Sequence, residues 1–460
     1  MRPLMVLGCT SDAGKSLLVT ALCRWFTREG VRVAPFKAQN MSNNARVVGG
    51  VDGAPGGEIG VAQWLQAKAA KVEPEVRMNP VLLKPEADTQ SQVVVRGVVD
   101  RELTNTPWKS RHDALWTPMA ESFDDLAGDF DLVVIEGAGS PAEINLRDQV
   151  NNRMIEYSDA AGLLASDIDR GGSFAHLYGT WALVPDATRE RLAGYVLNRF
   201  RGDASLLAPG PERLTEMTGM ACAGVMPMLR HDLPREEGAS EVSSAPAGAP
   251  KVVIPRFPYG SNLDEFHLLG TVARIEWATG PAAFEHLDSE RDLIVLPGSK
   301  HVGSDLEWLR AAGIAAAVAS AAQRGVRVIG VCGGAMMLSR SIEDPHGVEG
   351  GAPGSYRGLG LVDSITTMGA TKRTVLTVVE ALGSVFDGYE IRYGELAGGE
   401  RFVTNGRVMA TTVHGLFEHS GFIERLLGVP AVPVLEPTFE LLADAIEEHL
   451  DTDLLRRLIG

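Results

Sequence analysis

Residues 8–16 read Gly-Cys-Thr-Ser-Asp-Ala-Gly-Lys-Ser, directly behind the apolar run Leu4-Met5-Val6-Leu7. A buried strand, a glycine-rich loop and Lys-Ser opening a helix are the layout of a nucleotide phosphate cradle. Apolar residues at Leu17, Leu18, Ala21, Leu22, Trp25 and Phe26 keep the helical period behind the loop. Five residues separate Gly8 from Gly14, one more than the usual phosphate loop carries. The competing reading is a plain strand–helix turn that contains Gly-Lys-Ser. As a cradle, the loop amides between Gly8 and Gly14 and the helix N-terminus hold phosphates. Lys15 neutralises them and Ser16 Oγ ligates Mg²⁺. Asp12, inside the loop, either caps the helix or polarises Lys15.

Short apolar runs at 4–8, 31–36, 132–136, 162–167, 194–198 and 224–226 alternate with helix-length segments. That alternation predicts a parallel sheet covered by helices on both faces. Residues 234–250 are polar, with three prolines and little to bury, and read as a linker between a domain at 1–233 and a second at 251–460. Val252-Val253-Ile254-Pro255 starts the second α/β unit, with further strands at 293–296, 326–331 and 408–412. A chain of 460 residues is too long for one ordinary core.

The formal net charge of −16 argues against nucleic acid as the main partner. It leaves room for an anionic small substrate in a locally basic pocket. Cys9, Cys23, Cys222 and Cys332 form no CxxC pair, which argues for a reducing, cytoplasmic setting without a zinc or disulfide framework. The Ala-rich stretch 311–322 is too short to span a bilayer, so no membrane association is expected.

Two further segments carry chemistry. Glu136 ends the run Asp131-Leu132-Val133-Val134-Ile135 and precedes Gly137-Ala138-Gly139. A carboxylate there is either a metal ligand beside the phosphate loop or a solvated strand-end acid. In the second half, the strand 326–331 turns through Cys332-Gly333-Gly334 into a helix expected at 335–340. A nucleophile on such an elbow is presented at a helix N-terminus, a setting that favours thiolates. The Gly333 amide and the loop Leu296-Pro297-Gly298-Ser299-Lys300 are candidate oxyanion donors, and His414, just past a strand, is the candidate base. An inert cysteine and a structural histidine are the alternative. His112, His176, His267 and His419 lack a comparable context and read as surface or packing residues.

These segments resemble the cobyric acid synthase family over nearly the whole chain. The resemblance rests on residues 10–16, Pro35-Phe36-Lys37-Ala38-Gln39-Asn40-Met41, Gly56-Gly57-Glu58-Ile59-Gly60 and 78–85. It continues through 136–146, Asp167-Ile168-Asp169-Arg170-Gly171-Gly172 and 198–203. It implies an N-terminal P-loop domain of the dethiobiotin-synthetase-like group, followed by a class I glutamine amidotransferase-like domain. Cys332-Gly333-Gly334 and His414-Gly415-Leu416-Phe417 resemble the latter. Leu416 stands where the superfamily's usual third triad member, an acid, would be, and Glu418 is off register. Arg392 stands where a histidine is more usual, and Ser42-Asn43-Asn44 departs from the commoner pattern.

The implied reaction is ATP-dependent amidation of four carboxylates (b, d, e and g) of adenosylcobyrinic acid a,c-diamide. L-glutamine is the nitrogen donor, and ATP and Mg²⁺ are required. The resemblance further implies that Asn198 reads the adenine edge and that Glu58 and Glu136 share metal duty with Ser16. Lys37, Lys84, Arg147 and Arg170 are candidates for a basic surface receiving the corrinoid. Two rivals are an a,c-diamide synthase acting earlier on the same ring, and a P-loop regulatory ATPase with an inactive amidotransferase-like module. Gln39-Asn40-Met41 and 140–146 favour the later enzyme over the first, and the joint presence of Lys15, Cys332 and His414 argues against the second.

Overall fold

The computed structural model describes residues 1–49, 56–87, 90–145, 148, 150–238, 244–349 and 352–460. The chain forms two compact units. The first comprises Met1–Ser42, Gly49–Asp232 and Leu435–Gly460, and the second Asn43–Val48 and Leu233–Val434.

In the first unit six strands form one parallel sheet. Their order is Ala221–Pro227, Leu192–Phe200, Ala161–Asp167, Leu4–Gly8, Leu132–Glu136 and Val33–Phe36. Leu4–Gly8 lies centrally, and all five of its residues are buried, as a continuous apolar run requires in a sheet covered on both faces. Its C-terminal end feeds the phosphate loop and the helix Lys15–Arg28. A smaller sheet, in the order Gln39–Met41, Val81–Ala87, Gln90–Val95 and Val98–Asp100, belongs to the same unit.

Two short segments fall differently from the domain limits read in the sequence. Leu435–Gly460 packs with the first unit because its helix Leu435–His449 supplies charge to a buried cation. Arg24, whose side chain has no exposed surface, pairs with Glu436 at 2.8 Å and Glu440 at 2.9 Å. Beyond that helix, Asp451 N donates to Ala223 O at 2.8 Å. Asn43–Val48, from the N-terminal half, belongs to the second unit.

The second unit has its own sheet, in the order Arg274–Ala278, Lys251–Pro255, Leu293–Leu296, Arg327–Val331, Val408–Thr411 and Phe402–Asn405. It is parallel except for the last pair. Beside it runs a long hairpin, Ile365–Ala381 with Ser384–Leu396, that the sequence did not signal. Most residues of its first strand are exposed or half-buried, so the alternation of apolar residues that marks a strand is diluted. Among the described residues no helix is long and apolar enough to cross a membrane.

Candidate functional site

The phosphate loop turns on Gly14, at φ 86°, immediately before Lys15. A side chain there would be strained, and its Cβ would stand 2.1 Å from Asn198 Nδ2. Asn198 is buried, donates to Ala13 O at 2.9 Å and accepts from Arg199 N at 3.0 Å. Its amide therefore braces the loop backbone, a placement the adenine-reading expectation did not include. Gly14 takes the N-cap position of the helix, and Asp12 lies in the loop before it. Its carboxylate pairs with Arg199 at 2.9 Å and Arg170 at 2.8 Å, which ties the loop to the ends of two neighbouring strands.

Lys15 is buried and donates from Nζ to Gly139 O at 3.1 Å. Ser16 Oγ donates to Glu136 Oε1 at 2.8 Å. Leu4–Gly8 and Leu132–Glu136 are adjacent and parallel, so their C-terminal ends arrive side by side. Glu136 is thus a buried group and not a solvated strand end. Lys37 Nζ lies 2.9 Å from its Oε1, and Gln66 Nε2 donates to its Oε2 at 2.5 Å. Lys37 and Gln66 are partners that the sequence reading did not assign to it. Ser16 and Glu136 form a pair of hard-oxygen donors beside the phosphate loop, and that donor set suits Mg²⁺, which keeps waters and takes phosphate oxygens.

Glu58, like Glu136, is paired with a lysine. Its Oε2 lies 2.7 Å from Lys84 Nζ, with both side chains buried. Lys84 and Lys37 are accordingly neutralising groups inside the unit and not parts of an exposed basic surface. Arg170 is exposed but paired with Asp12 and Asp167, and Arg147 lies outside the described residues. Cys9, in the loop, is a buried thiol whose pKa burial pushes up to about 11, so it does not compete as a nucleophile.

In the second unit, Cys332 follows the strand Arg327–Val331 at φ 50° and ψ −108°, a strained conformation at the mouth of the helix Gly333–Leu338. Its N–H donates to Thr411 O at 2.7 Å, so the neighbouring strand fixes the elbow. The elbow needs glycine at 334, where a Cβ would stand 2.1 Å from Leu296 O. Gly334 N donates to Pro297 O at 3.0 Å, and a Cβ on Gly333 would come within 2.8 Å of Ser299 N. The Gly298 and Gly333 loops are therefore in contact beside the thiol. Asp305 accepts from Ser299 Oγ at 2.6 Å and from Tyr259 N at 3.1 Å, which holds the Gly298–Ser299 turn.

His414 is buried, and the Cys332 thiol donates to Ile391 O at 3.7 Å. A Cβ on Gly298 would lie 3.0 Å from His414 Cε1. The ring stacks on Tyr389, with centroids 5.4 Å apart and planes at 17°. Its Nδ1 lies 2.8 Å from Glu265 Oε1, and Glu265 Oε2 accepts from Gly415 N at 3.0 Å. Burial opposes the charged ring, but Glu265 and Cys332 outweigh it and raise the pKa to about 10. The histidine thus has a carboxylate partner after all, supplied from a loop far upstream of the place two residues after it. The only sequence signal was the acidic pair Asp264-Glu265 set inside Asn262-Leu263 and Phe266, beyond a buried strand. Glu418 points to other partners, described below.

Residues 4–237 match the CobQ/CobB/MinD/ParA nucleotide-binding domain, and residues 251–425 match the CobB/CobQ-like glutamine amidotransferase domain. The cobyric acid synthase of Variovorax paradoxus is 48% identical, over 100% of this chain and 99% of that one. That of Deinococcus radiodurans is 49% identical, over 99% of this chain and 100% of its own. That of Paracidovorax citrulli is 49% identical, over 98% and 97%. With both domains in this order and near-complete coverage at this identity, the chain belongs to the cobyric acid synthase family.

Proposed function

We infer a division of labour in which one unit makes ammonia from glutamine and the other activates a carboxylate with ATP. The overall reaction is ATP-dependent, glutamine-using amidation of adenosylcobyrinic acid a,c-diamide to adenosylcobyric acid, at the b, d, e and g side chains. The observation that carries this reading is the pairing of a Cys332–His414–Glu265 arrangement with a Lys15–Ser16–Glu136 phosphate site in a member of this family.

In the glutaminase half-reaction Cys332 Sγ attacks the side-chain amide carbon of glutamine. The amides of Gly333 and Gly298 face the developing oxyanion. His414 gives a proton to the departing ammonia and later takes one from the water that cleaves the glutamyl thioester. Glu265 acts through His414, by fixing its tautomer and favouring its charged form. Supporting this, Cys332 and His414 sit on adjacent parallel strand ends, where both loops leave the sheet on the same side.

In the synthetase half-reaction a substrate carboxylate oxygen attacks the γ-phosphorus of ATP and ADP leaves. Ammonia then displaces phosphate from the acyl phosphate. The loop amides and Lys15 hold the phosphates in line. Ser16 and Glu136 are the residues that would hold Mg²⁺, which neutralises phosphate charge when bound. Lys37 balances Glu136.

Mass spectrometry of the product formed from the a,c-diamide with ATP and glutamine tests the reaction. Successive acid-to-amide steps on the diamide are expected. A diamide left untouched, with the fully acidic ring amidated instead, would assign the earlier step. ATP hydrolysis with neither ring modified would refute the biosynthetic reading.

A further inference from the structure

The glutaminase-like unit contains a piece of chain from far outside its sequence region. Asn43–Val48 lies within the second unit, some two hundred residues before the rest of it. Its side chains and backbone are joined to the loop that carries Glu265. Asn44 Oδ1 accepts from Leu263 N at 3.1 Å, and Ala45 N donates to Asn262 Oδ1 at 3.3 Å. Asn262 returns a hydrogen bond from Nδ2 to Ala45 O at 3.3 Å, and another to Tyr389 Oη at 3.2 Å.

Arg46 is the centre of this attachment. Its side chain is buried and pairs with Asp264, the residue immediately before Glu265. It also reaches Glu418 Oε1 at 2.5 Å and donates to Tyr389 Oη at 2.9 Å. The guanidinium carbon sits 5.3 Å from the Tyr389 ring centroid, and that ring's other neighbour is His414. Arg46 therefore touches both supports of the histidine. One is the loop that holds Glu265 against Nδ1, and the other is the ring stacked on the imidazole. A buried guanidinium suits this task, since its planar fork serves several acceptors at once.

The charge balance points the same way. Asp264 and Glu265, both buried, and the half-buried Glu418 bring three carboxylates together, with Arg46 and His414 as cations among them. Burial pushes Glu418 up to about 7 and raises Asp264, while Arg46 opposes both shifts. Without Arg46, burial and mutual repulsion would favour protonated Asp264 and Glu418 and strain the loop beside Glu265.

We propose that Arg46, a residue of the nucleotide-binding half by sequence, is a positioning residue of the glutaminase site. It sets the placement of His414 through Asp264 and Tyr389. The proposal rests on the reading of Cys332 and His414 as a glutaminase pair.

The test uses the full chain and measures glutaminase kcat and KM across pH, with ammonia-dependent amidation as the control for folding. Arg46→Met should lower glutaminase kcat about tenfold or more and leave ammonia-dependent amidation in place. Its remaining glutaminase should fall as pH rises, because without the guanidinium the Asp264 and Glu418 carboxyls, already raised by burial, ionise with no cation between them. Arg46→Met/Asp264→Asn removes one charge of each sign and should recover part of the loss. A purely packing role would give no recovery. Should Arg46→Met not fold, Arg46→Lys keeps the charge but not the fork, and should give an intermediate kcat. Parental glutaminase and pH profile in either single variant would overturn the proposal, as would loss without recovery in the double variant. Cys332→Ala is run alongside. If it keeps glutaminase activity, the site reading itself fails and the Arg46 proposal with it. If it loses activity while the Arg46 variants do not, only the Arg46 proposal fails.

Discussion

His414 Nδ1 stands 2.8 Å from Glu265 Oε1, a contact between residues 149 positions apart in the chain. The carboxylate accepts from the Gly415 amide with its other oxygen, so it fixes both the ring and the backbone that follows it. Glu265→Gln keeps the shape and removes the charge. Glutaminase turnover should fall roughly 10²-fold, the range of a misplaced general acid–base. The sign of the pH effect follows from the pKa of His414, raised above the ordinary 6.5 to about 10. Its contribution to stability is full below the unfolded value and is lost as pH rises through about 10. Removing the Glu265 charge lowers the folded value. The alkaline limb of the glutaminase profile should therefore move to lower pH, and an unmoved limb would contradict the assignment.

Cys332→Ala should abolish glutamine-dependent amidation, by on the order of 10⁴-fold or more, yet leave amidation from ammonium salts. The thiol serves only to release ammonia. Both nitrogen sources should be compared at saturating ATP. Equal loss from both, in a folded variant, would refute separate sites.

Lys15→Ala should behave in the opposite way. Amidation from either nitrogen source should drop on the order of 10²-fold or more, since the phosphates lose their buried cation. Basal glutaminase should persist. Near-parental ammonia-dependent turnover would place the activating site elsewhere.

Glu436→Gln/Glu440→Gln should destabilise the first unit by about 1–3 kcal/mol, because Arg24 stays buried and keeps no carboxylate partner. Thermal melts of the nucleotide-free protein would register this. The pair lies on a surface remote in sequence from Lys15 and Cys332, so kcat with glutamine should change little. An unchanged melting profile would mean that Lys68 O and packing on Phe439 suffice for Arg24.

Much of this arrangement could be read from the residue string. The strand–loop–helix at Gly8–Ser16 and the elbow at Cys332 are local patterns, and neighbouring residues alone specify them. Their partners Glu136 and His414 were legible because parallel sheets collect strand ends on one edge. Glu265 was not legible. A side chain that reaches its partner across two loops leaves no spacing to detect, and the superfamily's usual position is filled by Leu416. Glu58, in another family-like segment, is likewise paired with a buried lysine, Lys84, a partner that no spacing in the sequence signals. Sequence order also misassigns the edges of the units, because Arg24 and Arg46 each find their countercharges hundreds of residues away.

The helix Leu435–His449, which closes over Arg24, has a consequence for biosynthesis of the chain. Glu436 and Glu440 lie in its last stretch, and Leu233–Val434 is made between them and the rest of the first unit. A ribosome therefore completes every strand of the nucleotide-binding sheet long before it supplies the carboxylates for the sheet's buried arginine. The usual order, in which the N-terminal domain is finished first, is reversed here. The glutaminase-like unit has all of its residues once Val434 has emerged, while the nucleotide-binding unit must wait for Leu435–Gly460.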